Sequence, residues 1–417
     1  MQQVYNKVFT YFAKLKFAIS LLLIIAALSV IGTIIEQNQS SEFYIQTYNY
    51  LIRPLPLTIG QLILMLGIDH IYNCWWFCSL LVLLGVCLTS CTITQQFPLL
   101  IKSKVYNFKS LRADRNFNNI ILDLKFRGQI VQNLKRDQYT IFQQKNQIYA
   151  YRGLAGRFAP IIVHGALLIT LFGILLASIA GFQSQELIVK GEITQTQNII
   201  GENILSSIPN NFIRINDFWI EYGKKSNTKQ FYSNISLLDN EGSEQVSYTA
   251  KVNYPFRYKN LTFYQTDWNI RALRVRQQNK IFQIPTQTYK NKTTWISYFE
   301  SKNLKLIILQ NNLEGYFQIF TENGERVGQF SLNEYIGDIG IELIDVITET
   351  GLQIKADPGI PIIYGGFLLL MVSTLVSYTT YNQYWLNRTN QKLLMNAKTN
   401  RAVLNLQRQL EKTQQLE

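Results

Sequence analysis

Histidine is almost missing from this chain: His70 and His164 are the only two among 417 residues. Cysteine is nearly as scarce, with Cys74, Cys78, Cys87 and Cys91 crowded into one short stretch. No Cys-x-x-Cys occurs and no cysteine follows residue 91, so nothing downstream is stapled by disulfides. There is no Walker A loop, no Gly-x-Gly-x-x-Gly behind a strand and no His-Glu-x-x-His. Those absences remove phosphate-loop, dinucleotide and zinc-protease chemistry. Charge is thin as well, at 16% of residues.

In their place stand four long apolar runs. Hydrophobic residues make up 47% of the chain, and they gather at 17–35, 75–94, 160–182 and 360–380. Each run has about the 20 residues that a helix needs to cross ~30 Å of hydrocarbon. They divide the chain into an N-terminal 1–16, a loop 36–74, a basic segment 95–159, a segment 183–359 and a tail 381–417. Lys7, Lys14 and Lys16 precede the first run, but its apolar core is too long for a signal peptide and no small-x-small cleavage site follows. It reads as an uncleaved span.

Charge orients the spans. Residues 1–16 carry +3, 36–74 carry −2, 95–159 carry +9, 183–359 carry −1 and the tail carries +4, which accounts for the whole net +13. The alternation is that of the positive-inside rule. Both termini and 95–159 are expected on the cytoplasmic or stromal side, with 36–74 and 183–359 on the far side. The excess of Lys and Arg is explained by topology, and no nucleic-acid partner is needed.

Segment 183–359 reads as β. "FIRINDFWIEY" alternates at period two, and hairpin turns are expected at Asp239–Gly242, Asn323–Gly324 and Thr350–Gly351. The expected architecture is therefore membrane α-helical, four spans, with a large all-β domain of sandwich or meander type between spans three and four. "YTIFQQKNQIYAYRG" reads as a hairpin in the basic segment. Pro160 is expected at the start of the third helix, where its missing N–H does no harm. Trp75 and Trp76 mark the far interface, and Tyr381, Tyr384 and Trp385 the near one. The Gln-rich tail, with Leu386, Leu393, Leu404 and Leu410, suggests a surface or coiled-coil helix. The four cysteines read as small packing residues, a thiol redox role being the alternative.

His164 is the one ionisable residue inside "FAPIIVHGALLITLFGILLASIAGF", residues 158–182. Such groups are expensive in hydrocarbon and commonly functional. Burial favours neutral imidazole, the form that binds metal, which suits a haem axial ligand. A hydrogen bond to a neighbouring helix is the other reading. Gly165, Gly173, Ala177 and Gly181 lie at multiples of four and would let a helix or a flat ligand come close. Arg152 and Arg157, just outside the span, could meet haem propionates or act as inside-positive anchors. His70 stands beside Asp69, which could orient it as a ligand; a solvated interfacial histidine is the plainer reading. Two histidines on opposite sides of a membrane cannot build a catalytic triad or a zinc site.

Several stretches carry a resemblance: "DFWIEYGKKSNTKQFYSNISLLDNEGSE", "KVNYPFRYKNLTFYQTDW", "TGLQIKADPGIPIIYGGFLLLM", "DHIYNCWWF" and "LTSCTITQQFPLL". Together they resemble ResB-type cytochrome c biogenesis proteins of the plastid and cyanobacterial form, over nearly the whole chain. The resemblance implies a membrane subunit of the system II cytochrome c synthetase, working with a CcsA-type haem-handling membrane protein. It implies haem b as a transported substrate, delivered on the lumenal side to apocytochromes c such as cytochrome f, with a thioredoxin-like thiol reductant as a further partner. The chain would then be a subunit of a haem lyase complex, not an enzyme by itself. The family's membrane-embedded histidine matches His164, and the second axial ligand would come from the partner. "CWWF" lacks the Gly and Asp of the partner's tryptophan-rich motif. The alternative is a scaffold that binds apocytochrome without touching haem. A composition rich in Asn, Gln, Ile, Lys and Tyr hints at an AT-rich organelle genome. That favours a plastid thylakoid membrane over a cyanobacterial thylakoid or inner membrane.

Overall fold

The computed structural model describes residues 9–414 except 53–56, 105–107, 109–119, 204, 207, 209–210, 224–226, 290–293, 302–303, 338 and 390–391. Two compact units emerge, one of residues 1–176 with 359–417 and one of residues 177–358. Four helices are long and apolar enough to cross a membrane: Leu15–Ile34, Trp75–Ser103, Ala155–Ala180 and Ile360–Ser377. These are called the first to fourth spans below. Few of their residues are buried within the chain, as expected of helices whose outer surface meets lipid or partner.

In the first unit, the first three spans meet through aliphatic side chains. Leu21, Leu84 and Cys87 are buried with Ile25, Leu80 and Leu171 around them. Ile71, Cys74, Phe77 and Leu81 form a second cluster with Leu28, Leu171 and Leu175. The loop between the first two spans holds two short helices, Ser41–Thr47 and Ile59–Leu66. Thr58 and Gln61 cap the latter reciprocally, which satisfies two otherwise orphaned amides. Trp75 is exposed at the start of the second span, and Trp76 donates to the Leu66 carbonyl at 3.0 Å.

The tail is not the expected surface helix. Residues Asn382–Thr389 and Lys392–Thr399 are strands, and only Val403–Gln414 is helical. They complete a five-stranded antiparallel sheet in the order Ile120–Asp123, Lys392–Thr399, Asn382–Thr389, Gln147–Arg152, Thr140–Gln144. Tyr384 and Leu386 alternate inward beside Leu393 and Met395, and Ile130, Leu134 and Leu406 of two helices cover them. Tyr381, Tyr384 and Trp385, expected at a membrane boundary, are instead nearly fully buried within this unit. Because 120–152 and 382–399 share one sheet, they must share one side of any membrane.

The second unit is all antiparallel strands. A four-stranded sheet runs Glu244–Lys251, Thr228–Leu238, Phe212–Tyr222, Ile193–Thr194. A larger, eleven-stranded sheet is organised on two long strands, Leu261–Gln277 and Ile341–Ala356. Ile213, Ile215, Ile235 and Leu237 of the small sheet pack on Phe263, Leu352 and Ile354 of the large one, as in a sandwich. A separate core gathers Leu273, Val275, Trp295, Phe299, Ile308, Phe317 and Leu343. The turns expected at Asp239–Gly242 and Asn323–Gly324 are present, with Gly242 and Gly324 at positive φ. The one expected at Thr350–Gly351 is not a turn: Ile341–Ala356 passes straight through it. The ladder shifts register between Gln265 and Asp267, and a Cβ on Gly351 would lie 2.7 Å from that of Asp267. The glycine marks a bulge with close backbone approach, a second use of glycine in strands that a turn signal imitates.

Candidate functional site

The third span begins at Ala155, five residues before Pro160. An internal proline lacks the N–H that would bond the carbonyl four residues back. Packing holds this first stretch regardless. Ala159 is fully buried, and a Cβ on Gly156 would stand 2.0 Å from the Thr379 carbonyl oxygen. The helix therefore carries Arg157 as well as His164. Seven residues apart, they share a face with about 20° of drift and lie ~10.5 Å apart along the axis.

The second span is distorted opposite His164. Its α-helix Trp75–Cys91 passes into a π-helical stretch, Thr92–Gln96, before resuming as Phe97–Lys104. Hydroxyls in this region bond back to carbonyls four residues earlier: Thr89 to Gly85 at 2.9 Å, Thr92 to Leu88 at 2.7 Å and Thr94 to Ser90 at 2.7 Å. Such bonds compete with the helical ladder, and single π turns are common at functional sites. At this distortion Thr92 Oγ1 lies 2.9 Å from His164 Nδ1.

Counting protons assigns the tautomer. Thr92 has one hydroxyl hydrogen, and it donates to the Leu88 carbonyl. The contact with His164 therefore uses an oxygen lone pair, so Nδ1 carries the hydrogen. In neutral imidazole the other nitrogen, Nε2, is then bare, and no described residue hydrogen-bonds to it. One lone pair is presented, in the arrangement by which a second hydrogen bond orients a metal-binding histidine.

Arg157 stacks its guanidinium over the Tyr381 ring at 5.0 Å. Its Nε is buried without a hydrogen-bond partner. Below it the sheet presents a polar aromatic nest: Tyr149 and Tyr381 hydroxyls 3.3 Å apart, with Gln383 donating to both at 2.7 and 3.1 Å. Burial beside the Tyr149 hydroxyl pushes the Tyr381 phenol well above its ordinary range, so it remains a neutral donor. Arg152 is different: it is exposed at the end of strand Gln147–Arg152 and is not brought into this group.

His70 lies elsewhere. It sits in the turn before the second span, exposed, with Nδ1 2.8 Å from Asp69 Oδ2. Asp69 is thus its orienting partner. The 17-residue helix Trp75–Cys91 separates this turn from Thr92, ~25 Å at 1.5 Å per residue, so the two histidines cannot share a ligand atom. All four cysteines are free thiols. Cys74 Sγ donates to the Gly67 carbonyl at 2.9 Å and Cys87 is packed beside Leu21 and Leu84. No group of three or more His, Cys, Asp and Glu placed to hold a metal ion exists among the described residues. Of the expected small-residue ladder, Gly173 approaches Ile363 of the fourth span and Gly359 just before it, whereas a Cβ on Gly165 would meet nothing within 4 Å.

Thr92 was missed by reading the sequence alone. Its signal, a Thr/Ser cluster in an apolar run, does not say which helix lies opposite.

The ResB-like family pattern matches residues 15–334 and 272–411. Cytochrome c biogenesis protein Ccs1 of Trieres chinensis is 43% identical over 416 residues, covering 96% of this chain and 98% of that protein. Ccs1 of Thalassiosira pseudonana is 44% identical over 408 residues, 95% of this chain and 96% of its own. Cytochrome c biogenesis protein CcsB of a Picosynechococcus strain is 36% identical over 414 residues, 96% of this chain and 89% of that one. With family pattern and relatives both spanning nearly its full length, the chain belongs to the ResB-like family.

Proposed function

We propose that this chain is the haem-handling membrane subunit of a cytochrome c synthetase, with haem b as its transported substrate. His164 holds the haem iron through Nε2 as one axial ligand. A CcsA-type membrane protein supplies the second histidine, since this chain's other histidine, His70, stands a helix length away. Arg157, with its unpartnered Nε and its place on the same helix face, meets a propionate; Arg152, exposed, does not. The bound haem supplies the iron for the Nε2 lone pair and the vinyl groups to which apocytochrome thiols add.

The span polarity supports a definite sidedness. Both termini and the five-stranded sheet lie on the stromal side, where the +9 and +4 segments fall, and 183–359 lies in the lumen. The pairing of 120–152 with 382–399 in one sheet agrees with that arrangement. The name of the algal relatives, cytochrome c biogenesis protein, supports apocytochromes c as partners; a plastid thylakoid membrane and a lumenal thiol reductant complete the proposal.

The observation that carries this reading is the half-buried His164, its Nδ1 2.9 Å from Thr92 Oγ1 and its Nε2 without a hydrogen-bond partner among the described residues. The test is to co-express the chain with a CcsA-type partner and record the haem spectrum of the purified pair. A bis-histidine spectrum that disappears in His164→Ala, together with holocytochrome, is expected. Retention of both in that variant would sink the reading.

A further inference from the structure

We propose that Thr92 is a positioning residue for His164. Its hydroxyl, held by the Leu88 carbonyl, accepts the Nδ1–H and so fixes both the tautomer and the rotation of the imidazole. The π-helical stretch that opens at Thr92 is the backbone device that aims this oxygen at the third span. The purpose assigned to the contact rests on the haem reading above; the contact itself does not.

Three observations converge. The Thr92–His164 distance is 2.9 Å, and the 2.7 Å bond to Leu88 occupies the threonine's only hydrogen. The helix departs from α geometry at this same residue. The Thr92 amide also points at Leu88 and Thr89 carbonyls, so backbone and side chain are anchored together. A hydroxyl free to rotate could serve either tautomer; one with its hydrogen committed selects Nδ1–H. Hydrocarbon sharpens the selection, because an imidazole N–H without an acceptor is costly there. Nδ1–H is matched to Thr92, which leaves Nε2 as the nitrogen that does not need a partner from this chain. Loss of such an outer hydrogen bond typically weakens metal binding ~10- to 100-fold.

The chain's poverty in histidine makes the test clean. With 15N-histidine labelling, the full chain in detergent gives two imidazoles, and His70→Gln assigns them. His164 is expected to show a protonated Nδ1 and a bare Nε2. Thr92→Val, which keeps shape and removes the hydroxyl, is expected to lose that tautomer preference; Thr92→Ser is expected to keep it. In the pair with a CcsA-type partner, Thr92→Val should retain at least ~10-fold less haem, with Thr92→Ser close to the parent. If Thr92→Val leaves the tautomer and the haem unchanged while His164→Ala loses haem, the role of Thr92 is wrong and the haem reading stands. If the tautomer follows the hydroxyl but His164→Ala keeps its haem, the positioning contact stands and the haem reading falls.

Discussion

The two ends of the second span hold the chain's two histidines in opposite circumstances. At the Cys74 end, His70 is exposed and faces a carboxylate 2.8 Å away. At the Thr92 end, His164 is half-buried and faces a hydroxyl whose hydrogen is already committed. The Asp69 carboxylate accepts the hydrogen of the His70 ring while leaving that ring in solvent. The Thr92 oxygen supports one neutral tautomer and offers no countercharge. The comparison separates a solvated, carboxylate-paired histidine from one prepared to give a single lone pair.

The strongest way to break the comparison is to exchange the losses. His164→Ala should lower haem retained with the partner by ~10-fold or more, measured spectrally per mole of protein. Equal losses in His70→Ala would erase the distinction. Next, Arg157→Ala should reduce retained haem ~3- to 10-fold, about the net worth of one hydrogen bond. Arg152→Ala, on the exposed strand end, should stay within about twofold, and a pair of equal losses would return both to the status of anchors. Ile71→Ala sharpens the contrast differently. Ile71 is fully buried at the Cys74 end, and its truncation should cost about 2–5 kcal/mol of stability, read by thermal unfolding in detergent. Haem per folded protein should be unchanged. Smallest of all, His70→Ala should leave haem within about twofold.

Much of the fold is legible in the amino-acid order alone. The four apolar runs became four helices, and the basic hairpin around residue 145 formed with Lys145 at positive φ. The reason is that span length and hairpin register are local properties, set by nearest neighbours along the chain. The tail was misjudged because its strand alternation is short and its partners, Gln147–Arg152 and Ile120–Asp123, lie more than two hundred residues earlier. Gly351 misled for a related reason: the residue that needs its missing side chain is Asp267, on another strand. At the site, His164 was visible as a lone titratable group in hydrocarbon, whereas Thr92 was one hydroxyl among several.

By itself, the sequence determined which segments are long and apolar enough to cross a membrane, which carry positive charge, and that a single histidine falls within one of those apolar runs. Those follow from composition over twenty-residue windows, and transfer free energy sums along a chain without regard to what lies across from it. Tertiary structure alone decided that 120–152 and 382–399 close one sheet, that Arg157 rides the same helix face as His164, and that Thr92 meets the imidazole. Each depends on bringing distant groups to within ~3–5 Å, where hydrogen bonds and packing act and beyond which they do not.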